Sequence, residues 1–415
     1  MWFSTETRRR VIAAASVVCT LGAGCAPPQA PLPPDLIEAP EEPAPAPIPA
    51  EPVFEQPLSW REFADPPHVS PAPDPSTQPF LEACGQGEEA LHRVATHVAN
   101  LQLAGAPEPD MAEVVFALRS QGSPYVWPRV WTLEAGSLDQ DDVVQRIQTW
   151  VRRSRAEGKV RCGIAKVSNG EHEVLALVAV DALADLLRGI PLRQRTGSFV
   201  RFEAELRVAA AEAQLVVLGP NGRPKNVLTS LSSSGINATF SADQPGRWVA
   251  QLLATTDSGP RPLLEVEFYA DANPPAAPDA TPVPGEGPVE GPPETQLATW
   301  LNAARASQGL NQLKRNPRLD QLALAHAQAM REKNQLAHDV GDGNPKERIV
   351  AAGLSPRVAG ENVARARTLE RANRTLWLSP SHRGNLLHPG FREVGIGIVQ
   401  DEKGNWWVAE LFAAF

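Results

Sequence analysis

Apolar residues change their spacing several times along this chain, and each change marks a different kind of element. Three- and four-residue spacing over Gly87–Leu103 and Met111–Leu118 predicts two helices. A third helix is predicted over Asp141–Ala156, where Val143, Val144, Ile147 and Val151 share one side. Continuous apolar runs follow at Val160–Val167 and Val174–Val180, separated by Ser168-Asn169-Gly170, a sequence suited to a hairpin turn. These elements define an α/β unit over 81–192. Beyond it the period falls to two: Phe199–Ala204, Gln214–Leu218, Trp248–Leu253 and Leu263–Tyr269 read as strands, punctuated by GPNG and DQPG turns. They predict a small antiparallel β-sandwich over 197–271.

The helical period returns in the tail. Leu297, Trp300, Leu301 and Ala304 form a stripe that Thr295 can cap and Gly309 can end. Asn316-Pro317 supplies a cap and a first-turn proline for a second helix, with Leu319, Leu322, Ala323, His326, Ala327 and Met330 on one face. His326 is thereby expected to be a packed, hydrogen-bonded core residue. Shorter helices are predicted over Lys346–Ala352 and Leu369–Leu378, and two strands, Glu393–Gln400 and Asn405–Phe412, close the chain. Trp406 and Trp407 must face opposite sides of the last strand.

Proline divides these units. The chain holds 41 prolines in 415 residues, and they cluster over 26–80 and 273–294. Proline fixes φ and lacks an amide donor, so both stretches are expected to be extended spacers, a tether and a linker. At the amino terminus, Arg8, Arg9 and Arg10 precede an uncharged stretch ending in Gly22-Ala23-Gly24-Cys25. Residues 1–25 therefore read as an export signal, and the small residues before Cys25 resemble a lipobox, whose cysteine carries a lipid anchor to the membrane. An ordinary secretory signal cut near the same point is the other reading. In an oxidising compartment the two remaining cysteines, Cys84 and Cys162, are expected to pair as a disulfide, two separately buried thiols being the alternative.

The overall formal charge is −9, but 295–415 holds 16 Lys and Arg against 11 Asp and Glu, leaving the rest near −14. So acidic a body argues against nucleic acid as the partner. Within the tail, Arg365, Arg367, Arg371 and Arg374 form a basic run, a solvated face or a contact for anionic envelope polymer or lipid headgroups.

The candidate chemistry lies in His338, Glu361 and His382. They stand in the strings QLAHD (335–339), GENVA (360–364) and WLSPSHRGNLLHPGF (377–391), followed by VGIGI (394–398) and WWVAELFAAF (406–415). Two imidazoles and a carboxylate can hold a divalent metal such as zinc with a position left open, relay a proton, or tie loops together. No HExxH or GxSxG string accompanies them. His388, in a turn, is expected to be inert.

These five strings, in this order, resemble the CAP superfamily (the SCP domain of cysteine-rich secretory proteins, antigen 5 and pathogenesis-related class 1 proteins), over 295–415 and in its shorter, cysteine-free bacterial form. The resemblance implies a three-layer α–β–α sandwich with a cleft lined by two histidines and two acids. Carried over by position, these fall on His338, Glu361 and His382, while the second acid falls on Pro380 and is absent. Together with the export signal and Cys25, the resemblance leads to the expectation of an exported, lipid-anchored envelope protein binding an envelope polymer, lipid or protein in that cleft. The alternative is a metal-assisted envelope hydrolase or peptidase using the same three residues. One internal echo remains: CGIAKVSNGEHEVLALV (162–178) aligns loosely with VGIGIVQDEKGNWWVAELF (394–412). Chance likeness between hairpins explains it, or the first unit is a degenerate copy of the tail.

Overall fold

The computed structural model describes residues 59–135, 140–153, 158–232, 235–256 and 259–415, all within a compact unit spanning Pro52–Phe415. The expected export signal, Cys25 and most of the tether lie outside the described residues. Among those described, no helix is long and apolar enough to cross a membrane. The last part of the expected tether is folded. A short strand, Phe63–Ala64, pairs with Ile190–Pro191, and helix α1 (Gln78–Cys84) begins inside it. Trp60 donates to the Pro275 carbonyl at 2.8 Å and stands edge-on to Phe116 and Tyr269.

Helices α2 (Glu89–Leu103), α3 (Met111–Ser120) and α4 (Gln140–Arg153) follow. A four-stranded sheet accompanies them, in the spatial order Gln86–Gly87, Lys159–Ser168, Glu173–Ala182, Arg129–Ala135. The central hairpin is long and apolar because both of its faces are covered. Leu175, Leu177 and Ala179 pack with α1 and α4, while Val174, Ala176, Val178 and Val180 pack with α2 and α3. Cys84 and Cys162 are joined in a disulfide with Cα atoms 6.2 Å apart, tying α1 to this sheet.

Two further sheets of five and four strands follow, the smaller of which takes its edge strand, Ala184–Leu186, from before residue 192. The boundary expected near 192–197 does not separate two cores. Leu91, Val98 and Val178 of the α/β unit belong to the same buried cluster as Phe202, Leu252 and Phe268 of the sandwich.

The C-terminal domain contains α5 (Pro293–Ser307), α6 (Pro317–Lys333), α7 (Pro345–Ala351), α8 (Leu369–Leu378) and α9 (Pro380–Leu386). Its sheet runs Lys314–Arg315, Glu393–Gln400, Trp406–Ala414, Val358–Ala366, which leaves the last of these at an edge. Trp407, Ala409, Leu411 and Ala413 face α6 and α7, whereas Val408 and Phe412 face α5, α8 and α9. Asn316 caps α6, its side chain accepting from the amides of Arg318 and Leu319. Helix α5 starts earlier than the expected Thr295 cap, with Pro292 at its N-cap. The later part of the expected 273–294 linker is packed rather than free. Val283 is buried in this domain's core, the Trp300 indole donates to the Gly287 carbonyl at 2.8 Å, and Glu286 binds Asn373 and Arg374.

The two α/β sheets share strand order and strand direction, and even their pairing register. Gly163 pairs with Val178, which pairs with Val130; Gly395 pairs with Leu411, which pairs with Glu361. In both, a helix lies so close to the glycine that a Cβ would fall 2.0 Å from the Leu91 carbonyl carbon or 2.1 Å from that of Leu319. The next amide is satisfied the same way, Ile164 donating to His92 Nδ1 at 2.9 Å and Ile396 to Asp320 Oδ1 at 2.8 Å.

Candidate binding cleft

The edge strand Val358–Ala366 positions the site by simple alternation. Glu361 points toward α6 and α7, and its neighbour Asn362 points toward α9. The Glu361 side chain is 1% exposed. Its Oε1 accepts from His338 Nδ1 at 3.0 Å and lies 3.7 Å from His326 Nε2, while Arg348 of α7 is paired with Oε2. Burial disfavours the charged carboxylate, but the His338 hydrogen bond and the charges of Arg348, His338 and His326 outweigh it, so its pKa lies below the usual carboxylate range.

The loop carrying His338 starts where α6 ends, at Asn334 in the left-handed conformation. His326 holds the loop in place. Fully buried as expected of a core histidine, it bonds Asp342 Oδ2 through Nδ1 at 2.7 Å and the Ala337 carbonyl through Nε2 at 3.0 Å. Arg348 adds a bond to the His338 carbonyl at 2.8 Å. His326, Asp342 and Arg348 thus support the site, although sequence reasoning gave them no part in it. The helical stripe through His326 was the one available signal.

On the opposite face, Asn362 Nδ2 donates to Glu410 Oε2 at 3.0 Å and to the His382 carbonyl at 3.3 Å, while Asn385 donates to Asn362 Oδ1 at 3.0 Å. Burial pushes Glu410 up to about 7 despite the hydrogen bond from Asn362. The sequence motif placed its second acid at Pro380; Glu410 is a buried acid that the motif did not point to. Burial, reinforced by the charge of His338, pushes His382 down to about 3, and its Nδ1 is buried without a hydrogen-bond partner among the described residues.

His338 and Glu361 therefore meet, while His382 approaches from the other layer. What joins the two imidazoles is Trp127, from the first unit. Its indole stands edge-on to both, with ring centroids 6.3 Å from His338 and 6.4 Å from His382. The shared zinc shell expected from His338, Glu361 and His382 does not fit this arrangement. Both Glu361 oxygens are engaged, one by a guanidinium, and no group of three or more His, Cys, Asp or Glu among the described residues is arranged to hold a metal. Ser379 and Ser381 pair with each other through their hydroxyls at 3.4 Å.

Trp127 has φ of 55°, a left-handed conformation costing a bulky residue about 1–2 kcal/mol. Its loop is held rigidly: Tyr125 is fully buried with its hydroxyl on Asp185 at 2.6 Å, and Arg119 binds the Ser123 and Tyr125 carbonyls at 2.9 and 2.8 Å. The basic run expected to meet solvent or an anionic polymer is spent internally. Arg365 pairs with Asp401, Arg374 with Glu286, and Arg367 and Arg371 with Glu113 and Asp110 of the first unit. His388 packs against Phe391, the two rings tilted by 38° with centroids 4.5 Å apart.

The cysteine-rich secretory protein (CAP) family model matches residues 300–411. Uncharacterized protein YkwD of Bacillus subtilis (strain 168) is 33% identical over 119 residues, 28% of this chain and 46% of that protein, so the chain spans about half of that relative's length. Among solved structures, an outer surface protein of Borrelia burgdorferi is similar over 29% of this chain and 91% of its own (21% identity, TM-score 0.28). An extracellular SCP-domain protein of Bacillus anthracis is similar over 56% of this chain and 86% of its own (16% identity, TM-score 0.28). Residues 300–411 are a CAP domain of the bacterial kind.

Proposed function

We propose that this is an exported cell-envelope protein, tethered through a lipid on Cys25, whose CAP domain binds an envelope or extracellular ligand beside His338, Glu361 and His382. The observation that carries the reading is the buried Glu361 carboxylate, braced by Arg348 and His326 so that it fixes the orientation of the half-buried His338 ring. Such bracing prepares a polar surface for recognition. It serves hydrolysis less well, because the carboxylate is neutralised by a guanidinium and neither nearby serine is activated. Extracellular and outer-surface proteins among the similar structures favour export. In the same reading, the first unit is a second, degenerate copy of the CAP domain, since strand order, register and the glycine contacts coincide while Val130 stands where Glu361 stands.

Co-sedimentation of the full chain with purified cell-wall sacculi and with anionic phospholipid vesicles tests the binding. His382→Ala is expected to weaken it at least tenfold without altering the unfolding temperature, whereas His338→Ala weakens it and also lowers that temperature, because it strips a donor from buried Glu361. Absence of binding to either preparation, or equal binding by the variants, would overturn the reading.

A further inference from the structure

Trp127 has no part in the chemistry above, yet it is the group that touches both imidazoles. It belongs to the first unit, is held in a backbone conformation unfavourable for tryptophan, and packs against the Leu319, Val363 and Trp407 cluster of the CAP domain. Around it, the first unit and the sandwich meet the CAP domain through polar contacts. Arg371 Nε lies 3.0 Å from Asp110 Oδ2, Arg367 Nη1 3.3 Å from Glu113 Oε1, and Lys403 Nζ 2.6 Å from Glu108 Oε2. The Ser381 amide, next to His382, donates to Gln251 Oε1 at 3.0 Å.

We propose that Trp127 is a built-in occupant of the CAP cleft, placed there by the rest of the chain, and that an external ligand gains His338 and His382 only when Trp127 withdraws. The proposal rests on the binding role argued above and adds its regulation. Three features of the interface support it. Strain at one residue is tolerated where the surrounding structure fixes that residue for a purpose. The indole stands edge-on to both imidazoles at once, so a ligand bridging the two rings meets it. The surrounding contacts are ion pairs and single hydrogen bonds, and breaking Arg367 or Arg371 away from the buried Glu113 and Asp110 carboxylates loosens the interface without touching Trp127 itself.

The test uses the full chain and diethyl pyrocarbonate, which acylates accessible imidazoles, with rates read at each histidine by mass spectrometry. Trp127→Ala is expected to raise the rates at His338 and His382 at least fivefold and to leave buried His326 unchanged. Arg367→Ala/Arg371→Ala, which keeps Trp127 but loosens the clamp, is expected to raise the same two rates by a smaller factor. If Trp127→Ala also exposes His326, the domain has opened and the clamp variant alone decides. Unchanged rates at His338 and His382 in the deciding variant would overturn the proposal. The sacculus and vesicle assay separates the two claims. Faster acylation without increased binding would retain the occupant and refute the ligand, whereas binding lost in His382→Ala with unchanged acylation in Trp127→Ala would do the reverse.

Discussion

Replacing Arg348 by methionine removes the cation from Glu361 while nearly keeping its volume. The two side chains are 7% and 1% exposed, so little water can take the guanidinium's place. Breaking a buried ion pair by removing one partner costs about 3–5 kcal/mol. The variant also loses the bonds from Arg348 to the His338 and Gly343 carbonyls, which pushes the cost toward the upper end. Proton uptake by Glu361 offsets part of it, and this gives the effect a pH signature. In the wild type the folded-state pKa is depressed, so the stability contributed by Glu361 is present above its unfolded value and is lost as pH falls through the folded one. In Arg348→Met, burial meets less opposition and the pKa rises, so the deficit grows as pH climbs from about 4.5. The chain has several cores and need not unfold in two states. Amide exchange along Val358–Ala366 at pH 5 and pH 8 therefore reports the effect locally, with urea unfolding alongside. Adding Glu361→Gln should restore much of the loss at pH 8. A deficit under about 1 kcal/mol, equal at both pH values, would refute the view of Glu361 as a charged, braced hub.

Two further outcomes follow from buried groups. Glu410 is raised to about 7, so as pH rises from its unfolded pKa past 7 it costs the fold up to about 3 kcal/mol; Glu410→Gln should flatten the pH dependence of unfolding temperature in that window and stabilise at pH 8. The Cys84–Cys162 bond spans 78 positions, and Cys84→Ala/Cys162→Ala should lose about 4.5 kcal/mol by loop entropy, measured as a lower urea midpoint with no change at pH 8 against pH 5.

Local periodicity made most elements legible. The spacing of apolar residues gave α8 and the strand Glu393–Gln400 with their observed limits, because each buries a regular stripe. The strand Val358–Ala366 escaped notice. Its Gly360-Glu361-Asn362 centre carries polar residues on both faces, the reverse of what a strand ordinarily signals. His338 and Glu361 were recognisable from their strings. Arg348 and Trp127 were not, since nothing local marks the one arginine that will be buried among many that stay outside, or tells that a tryptophan from a separate unit will reach across. The tether and linker were overextended for a related reason: proline predicts extended backbone, not whether that backbone lies against a core, as it does at Trp60 and Val283.

Matching strand registers put apolar side chains in the first unit where the CAP domain keeps polar ones. Val98 corresponds to His326, Val130 to Glu361 and Leu177 to Glu410. Buried ionisable groups burden a fold that does not use them. Where the CAP domain must hold Arg348 and Asn362 against its two buried acids, the first unit needs no partner at the matching positions, and those layers close by apolar packing alone.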